Sequence, residues 1–256
     1  MVYQGSKSRL AKFLVPIIQK YIDENNITTY IEPMCGSCSI IKQIRCDNRI
    51  ASDINDELIS LLQYIKSDND LSIAPANCSF EHYADVRENR KKGTNKYSKE
   101  YIALIGYCAS YGGRYFDGGY GRDKTGKRNI YAERLKNLKE DSTQLKDIDI
   151  KCCDFKDFTG YKNCLFYFDP PYKGTKQYSK QFIDYNSFYD FLRKLSENNI
   201  VIISEYSMPD DFKCIWQKER KVLQKSDRTV GDKAIEKLFI LEKNDWNVSF
   251  IRKKEK

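Results

Sequence analysis

Three observations predict an α/β fold built on a mainly parallel sheet and interrupted by a large insertion. Leu165-Phe166-Tyr167-Phe168 is a short apolar, aromatic run that ends on Asp169-Pro170-Pro171-Tyr172. Thr28-Thr29-Tyr30-Ile31 leads at once into a turn of small residues and an apolar stretch, the opening unit of a nucleotide-binding α/β fold. Between about residues 66 and 148 the alternation of strands and helices breaks, and it resumes afterwards.

The run at Leu165 reads as a buried parallel strand, because such strands are apolar on both faces. Pro170-Pro171 removes two backbone donors and forbids its continuation. Asp169 therefore sits at a strand's carboxyl end, the edge where open α/β sheets bind ligands. Asp169 to Tyr172 is the candidate centre.

With 256 residues, 41% hydrophobic and 13% aromatic, the chain is long enough for a full α/β core and too apolar for a disordered class. Nine cysteines are an odd count in a chain far larger than a disulfide-stapled mini-domain, and no signal-peptide pattern opens it. A reduced cytoplasmic protein is expected. No apolar run approaches the roughly 20 residues that span a bilayer, so no membrane partner is expected. The net charge is +8, and residues 82–139 hold 14 Lys/Arg against 6 Asp/Glu while the remainder balances. This concentration suits a polyanion partner, the alternative being a solvated basic surface.

Taken in order, Tyr3-Gln4-Gly5-Ser6-Lys7-Ser8 places a glycine and a lysine before a helical pattern of Leu10, Phe13, Leu14, Ile17 and Ile18. Ser6 or Ser8 is its candidate cap, and Pro16 marks a kink or a later start. After the first strand come Glu32-Pro33-Met34-Cys35-Gly36-Ser37-Cys38-Ser39 and a predicted helix through Ile40, Ile41 and Ile44. The loop has one glycine where a dinucleotide fingerprint has three. Arg49 to Ser52 predicts a second strand with Asp53 at its tip, 21 positions beyond Glu32. Asp53 is placed either to accept from ribose hydroxyls or to cap the helix Asn55 to Ile65. Cys35 and Cys38 form a C-x-x-C pair, but further zinc ligands would have to come from Cys152-Cys153 or His82, so no metal is expected.

Inside the insertion, Asn69 to Asn77 is turn-like, Arg87 to Lys99 is basic and polar, and Ser98 to Ser110 and Tyr131 to Lys139 are helices. Residues 111–128 interleave glycine with Arg, Lys and Tyr, a pattern for touching phosphates and bases or for an ordinary surface hairpin. Arg87, Lys91, Lys92, Tyr111, Arg114, Tyr115, Arg122, Lys124, Lys127 and Arg128 are the candidate nucleic-acid contacts. Ile148 to Cys153 predicts a strand ending in Asp154-Phe155, a pair that either holds a purine or leaves Phe155 in the core. A loop from Lys173 to Gln181 follows the candidate centre. Next come a helix around Phe188 to Leu195 and a strand Ile200 to Ile203 ending at Ser204-Glu205-Tyr206. Two antiparallel strands, Cys214 to Leu223 and Leu238 to Leu241, and a charged tail, Arg252 to Lys256, complete the chain.

The carboxylate of Asp169 and the carbonyl of Pro170 are two acceptors suited to the two hydrogens of a planar amine. Accepting both draws the nitrogen toward tetrahedral geometry and stabilises the positive charge that develops as it attacks. Tyr172 is suited to stack on the same base.

Asp-Pro-Pro-Tyr, preceded by the Glu-Pro-x-x-Gly-Ser loop and by Asp53-x-Asn55, resembles the Dam-type S-adenosylmethionine-dependent DNA adenine N6-methyltransferases. The resemblance implies a Rossmann-like methyltransferase sheet with an inserted, mainly helical DNA-recognition domain. Residues 1–66 and 148–256 would form the catalytic part and 67–147 the insertion. It implies that Tyr3, Lys7, Glu32, Pro33, Cys35, Gly36, Ser37, Asp53, Asp154, Phe155 and Asp169 bind S-adenosylmethionine, while Asp169, Pro170, Pro171 and Tyr172 hold the target amine. It also implies double-stranded DNA as partner, a flipped target base, a monomeric enzyme and a restriction endonuclease as a potential companion. N4 methylation of cytosine, a non-catalytic DNA-binding relative and a nicotinamide enzyme are the competing readings.

Overall fold

Seven strands form one sheet in the computed structural model, which describes residues 1–68, 70–123, 125–172, 184–221 and 233–241. Lys124, the loop Lys173 to Gln181, Leu223 and the Arg252 to Lys256 tail lie outside the described residues. The strands are β1 (Thr29–Glu32), β2 (Asn48–Asp53), β3 (Ile148–Cys152), β4 (Leu165–Phe168), β5 (Ile200–Glu205), β6 (Phe212–Lys221) and β7 (Lys233–Leu241). Their order is β3-β2-β1-β4-β5-β7-β6. The first five are parallel, and β7 runs antiparallel between β5 and β6.

The chain winds outward one way from β1 and the other way from β4, so these two neighbours frame a topological switch point. This is the Rossmann-like sheet the sequence predicts. Glu32 closes β1, and Asp169 follows β4 directly, at the same edge.

β4 is wholly buried because both its faces are covered. Leu165 and Tyr167 join the cluster that contains α1 (Ala11–Glu24), α2 (Asp56–Ser67) and α4 (Lys99–Ala109). Phe166 and Phe168 join the opposite cluster, built on α6 (Tyr185–Ser196). This two-sided burial is the physical reason for an uninterrupted apolar run.

The regular structure of the insertion is mainly helical: α3 (Phe80–Lys92), α4 and α5 (Ile130–Ser142) lie in it. Its core residues Tyr83, Leu104, Phe116 and Leu138 belong to the same buried cluster as Tyr30 of β1 and Leu58 of α2. The segment is thus cemented to the sheet by a shared core.

Two local expectations change. The predicted helix after the first loop is a single 3-10 turn, Ile41–Gln43. Ile40, Ile41 and Ile44 are all buried and Cys38 holds φ +55°, so the three isoleucines plug the core without an amphipathic stripe. Conversely, the stretch read only as basic and polar, Arg87 to Lys99, contains the last six residues of the 13-residue α3. That helix buries just Tyr83 and Val86 and carries no apolar periodicity. Its punctuation is nevertheless present in the sequence. The Ser79 hydroxyl accepts from the His82 N–H, and Gly93 ends the helix at φ +66°.

Pro16 lies inside α1 without ending it. The helix follows a 3-10 turn, Lys7–Arg9, capped by Ser6, whose hydroxyl accepts from the Ser8 N–H at 3.3 Å. No helix among the described residues is long and apolar enough to cross a membrane.

Candidate active site

Five buried or half-buried acids collect at the carboxyl edge of the sheet: Glu32, Asp53, Asp169, Glu205 and, from the antiparallel β7, Glu236. Lys7 is the one buried lysine or arginine among the described residues, and it comes to rest among them. Its ammonium stands 2.8 Å from Asp169 Oδ1 and 3.9 Å from Glu236 Oε2. It also lies 4.4 Å from the centre of the Tyr172 ring, within cation–π range.

The turn after β4 is fixed from several sides. Tyr172 is buried and donates its hydroxyl to Glu236 Oε2 at 2.6 Å, and its ring meets Tyr206 edge to face at 4.4 Å. Tyr185 of α6 donates to the Pro171 carbonyl. Beneath it, Tyr167 and Ser204 share a buried hydroxyl pair at 2.7 Å. Pro170 is buried and Asp169 half-buried, so the acid remains reachable.

Glu32 is 3% exposed and accepts the Tyr30 hydroxyl at 2.6 Å. Burial pushes its carboxyl up to about 8; the Tyr30 hydrogen bond opposes this, and the nearby charge of Asp169 adds to it. Glu32 is therefore a mainly protonated acid at neutral pH.

The loop from Pro33 to Ser37 is tied to β2. Asp53 accepts the Gly36 N–H at 3.1 Å and the Asn55 N–H at 3.0 Å. Asn55, not Asp53, caps α2, its side chain accepting from the Leu58 N–H. That settles one of the two roles left open for Asp53. Gly36 has φ +47°, and a Cβ there would come within 3.0 Å of the Tyr3 ring. Ser37 donates to the Ser6 hydroxyl at 3.2 Å, so Tyr3, Ser6 and Lys7 close over the loop from the N-terminal side. Cys35 sits buried in the loop, and its hydrogen bond with Cys38, together with burial and the nearby acids, holds its thiol well above its usual range. Cys35 is thus a compact neutral side chain in the turn.

Asp154 and Phe155 stand at the end of β3, separated from β4 by two strands, β2 and β1. The Asp154 carboxylate caps the turn Phe155–Phe158, accepting from the Lys156 N–H at 2.9 Å. Phe155 is half-buried, its ring 5.2 Å from Phe188 and 5.0 Å from Phe191. The core role and the exposed face coexist in this ring.

The glycine-rich loop runs back along α3. Ser110 pairs with Tyr120 in an isolated antiparallel bridge, and the Ser110 hydroxyl accepts from the Phe116 N–H at 2.8 Å. Tyr83 packs on Phe116 and Tyr120, and the Arg122 guanidinium lies 4.8 Å over Phe80. Arg87, Lys91, Lys92, Tyr111, Arg114, Arg122, Lys127 and Arg128 are exposed on this unit. Tyr115 is turned inward: its hydroxyl donates to Glu57 at 2.6 Å, its ring packs 4.5 Å from Tyr107, and Arg90 covers it while pairing with the same glutamate. It serves as an anchor between insertion and sheet. Tyr107 in turn lies 5.7 Å from Tyr3, so aromatic contacts connect the loop to the N-terminal segment over the Pro33–Ser37 turn.

Glu236 is the participant that sequence reasoning missed. It stands two residues before Leu238 and four before Ile240, both buried, so a carboxylate occupies the core face of a strand. An acid in the inward register of an apolar strand was a legible signal.

Residues 3–209 match the profile of the D12 class N6 adenine-specific DNA methyltransferases. The type II methyltransferase M.MjaIII of Methanocaldococcus jannaschii is 26% identical over 213 residues, 74% of this chain and 73% of its own. Among solved structures, an rRNA methylase from Streptococcus thermophilus aligns over 89% of this chain and 97% of its own at 8% identity, with a TM-score of 0.36. TrmN from Thermus thermophilus aligns over 89% of this chain and 48% of its own at 10% identity, with a TM-score of 0.38.

Proposed function

The chain belongs to the D12 class of N6 adenine-specific DNA methyltransferases, and we propose that S-adenosylmethionine binds between the Pro33–Ser37 loop, Asp53 and Asp154, with the target adenine entering at Asp169 to Tyr172. The observation that carries this reading is the switch point itself, where the cofactor loop after β1 and the candidate centre after β4 are neighbours.

The residues suit the cofactor. Gly36 lets the loop backbone approach closely, since a side chain there would collide with Tyr3. Asp53 and Asp154 offer carboxylates to ribose hydroxyls and amino groups, and Phe155 offers a ring to a purine. When bound, S-adenosylmethionine supplies a methyl carbon activated by a sulfonium.

Asp169 and the Pro170 carbonyl accept the two N6 hydrogens and turn the nitrogen lone pair outward. As N6 gains positive charge, the same acceptors stabilise it, and the Asp169 carboxylate takes up the proton that N6 loses. Before the base enters, the Lys7 ammonium stands 2.8 Å from Asp169 Oδ1. Tyr172 presents its ring to the base.

A base inside a duplex cannot reach a turn at the sheet edge, so we infer that the target adenine is flipped, at a cost of a few kcal/mol. The exposed basic residues of 67–147 supply phosphate contacts that offset this cost, which makes the insertion the DNA-recognition part. Similarity to a type II methyltransferase supports pairing with a restriction endonuclease. Mass analysis of nucleosides from treated DNA tests the reading: N6-methyladenine that requires S-adenosylmethionine is expected, and N4-methylcytosine in its place would overturn it.

A further inference from the structure

We propose that Glu236 is a positioning residue for methyl transfer, offering Lys7 a second carboxylate so that Asp169 is released to the target amine. The inference rests on the reading of Asp169 as amine acceptor. Glu236 lies beyond the residues 3–209 covered by the family profile, so that match assigns it nothing.

Lys7 Nζ is bound to Asp169 Oδ1 at 2.8 Å. A charge-assisted bond of that length is worth roughly twice a neutral one. The ammonium on Oδ1 also draws charge from the other carboxylate oxygen, so Asp169 is a weaker acceptor for the weakly polarised hydrogens of an aromatic amine while Lys7 holds it. Simply removing the lysine would leave the Asp169 and Glu236 carboxylates close together at a buried edge, a pairing of like charges that proteins avoid.

Glu236 resolves the conflict. Its Oε2 already stands 3.9 Å from the ammonium, so a displacement of about 1 Å exchanges one carboxylate partner for the other without stranding the charge. The Tyr172 ring, 4.4 Å from Nζ, lines the path. Glu236 itself is held rigidly. It is 2% exposed, paired through the β6–β7 ladder opposite Lys218, and fixed by the Tyr172 hydroxyl at 2.6 Å. An ammonium has three donors and no acceptor, so it can serve both acids during the exchange.

Two substitutions separate this role from a structural one. Glu236→Gln keeps an amide oxygen that accepts the Tyr172 hydroxyl but removes the charge that draws Lys7. Glu236→Ala removes both. The full chain is assayed for single-turnover methyl transfer to unmethylated genomic DNA, for S-adenosylmethionine affinity by calorimetry, for DNA affinity by anisotropy, and for thermal midpoint.

Glu236→Gln is expected to slow transfer by about 10- to 100-fold while both affinities stay within about threefold, the pattern of an interaction used in the transition state. Glu236→Ala should be at least as slow. A Glu236→Gln rate within about threefold of wild type, whatever Glu236→Ala does, would overturn the proposal, as would parallel loss of rate, affinity and thermal midpoint. Asp169→Asn run alongside keeps the two readings distinct. An inactive Asp169→Asn beside a fully active Glu236→Gln refutes Glu236 alone, whereas an active Asp169→Asn refutes the role of Asp169.

Discussion

Tyr30 donates its hydroxyl to Glu32 at 2.6 Å inside the first strand, where neither side chain reaches solvent. Burial raises the Glu32 carboxyl from 4.5 to about 8 despite that bond. Between these values the folded protein holds a proton that the unfolded chain has released. Stability contributed by the protonated acid is therefore complete below 4.5 and is lost as pH rises through 8. Glu32→Gln should leave stability nearly unchanged near pH 4.5 and raise it at pH 8, by an amount on the order of a few kcal/mol. Thermal scans across that range check it, and a benefit that shrinks toward pH 8 would contradict it.

Gly36 occupies the left-handed region at φ +47° against the Tyr3 ring. Any Cβ there carries backbone strain of about 1 kcal/mol or more and a 3.0 Å contact with the ring. Gly36→Ala should weaken S-adenosylmethionine binding by at least about tenfold in calorimetry. DNA affinity, which the proposed function assigns to the insertion, should change little.

Arg114, Arg122 and Lys127 are exposed on the loop that runs along α3. Replacing all three with alanine should weaken DNA binding across sequences and flatten the plot of log affinity against log salt, by about 0.9 for each phosphate that is no longer neutralised. Fluorescence anisotropy over a salt series reads the slope. An unchanged slope would move the DNA surface elsewhere.

The sheet was readable from the sequence wherever burial is two-sided. Leu165 to Phe168 and Ile200 to Ile203 are uninterrupted apolar runs because helices cover both faces. Asp169 was legible because it follows such a run directly, and Asp53 because it stands at the tip of the short strand read from Arg49 to Ser52. Tyr115 was less so: a tyrosine among glycines and arginines looks like a surface contact, and only the packing of Glu57 and Arg90 on it shows it turned inward. α3 escaped because its exposed face dominates its composition, and the loop isoleucines misled because three buried positions do not fix a period. The ionisation of Glu32 was illegible, since it depends on a desolvated pocket assembled from β1 and the Asp169 turn.

The central claim is that Asp169 performs the chemistry while the insertion holds the DNA. N6-methyladenine formation and DNA binding measured together for Asp169→Ala test it most directly. The variant should form no detectable N6-methyladenine and bind DNA within about tenfold of wild type, because phosphate contacts supply most of the affinity. Equal loss of both, or methylation that persists, would contradict the account.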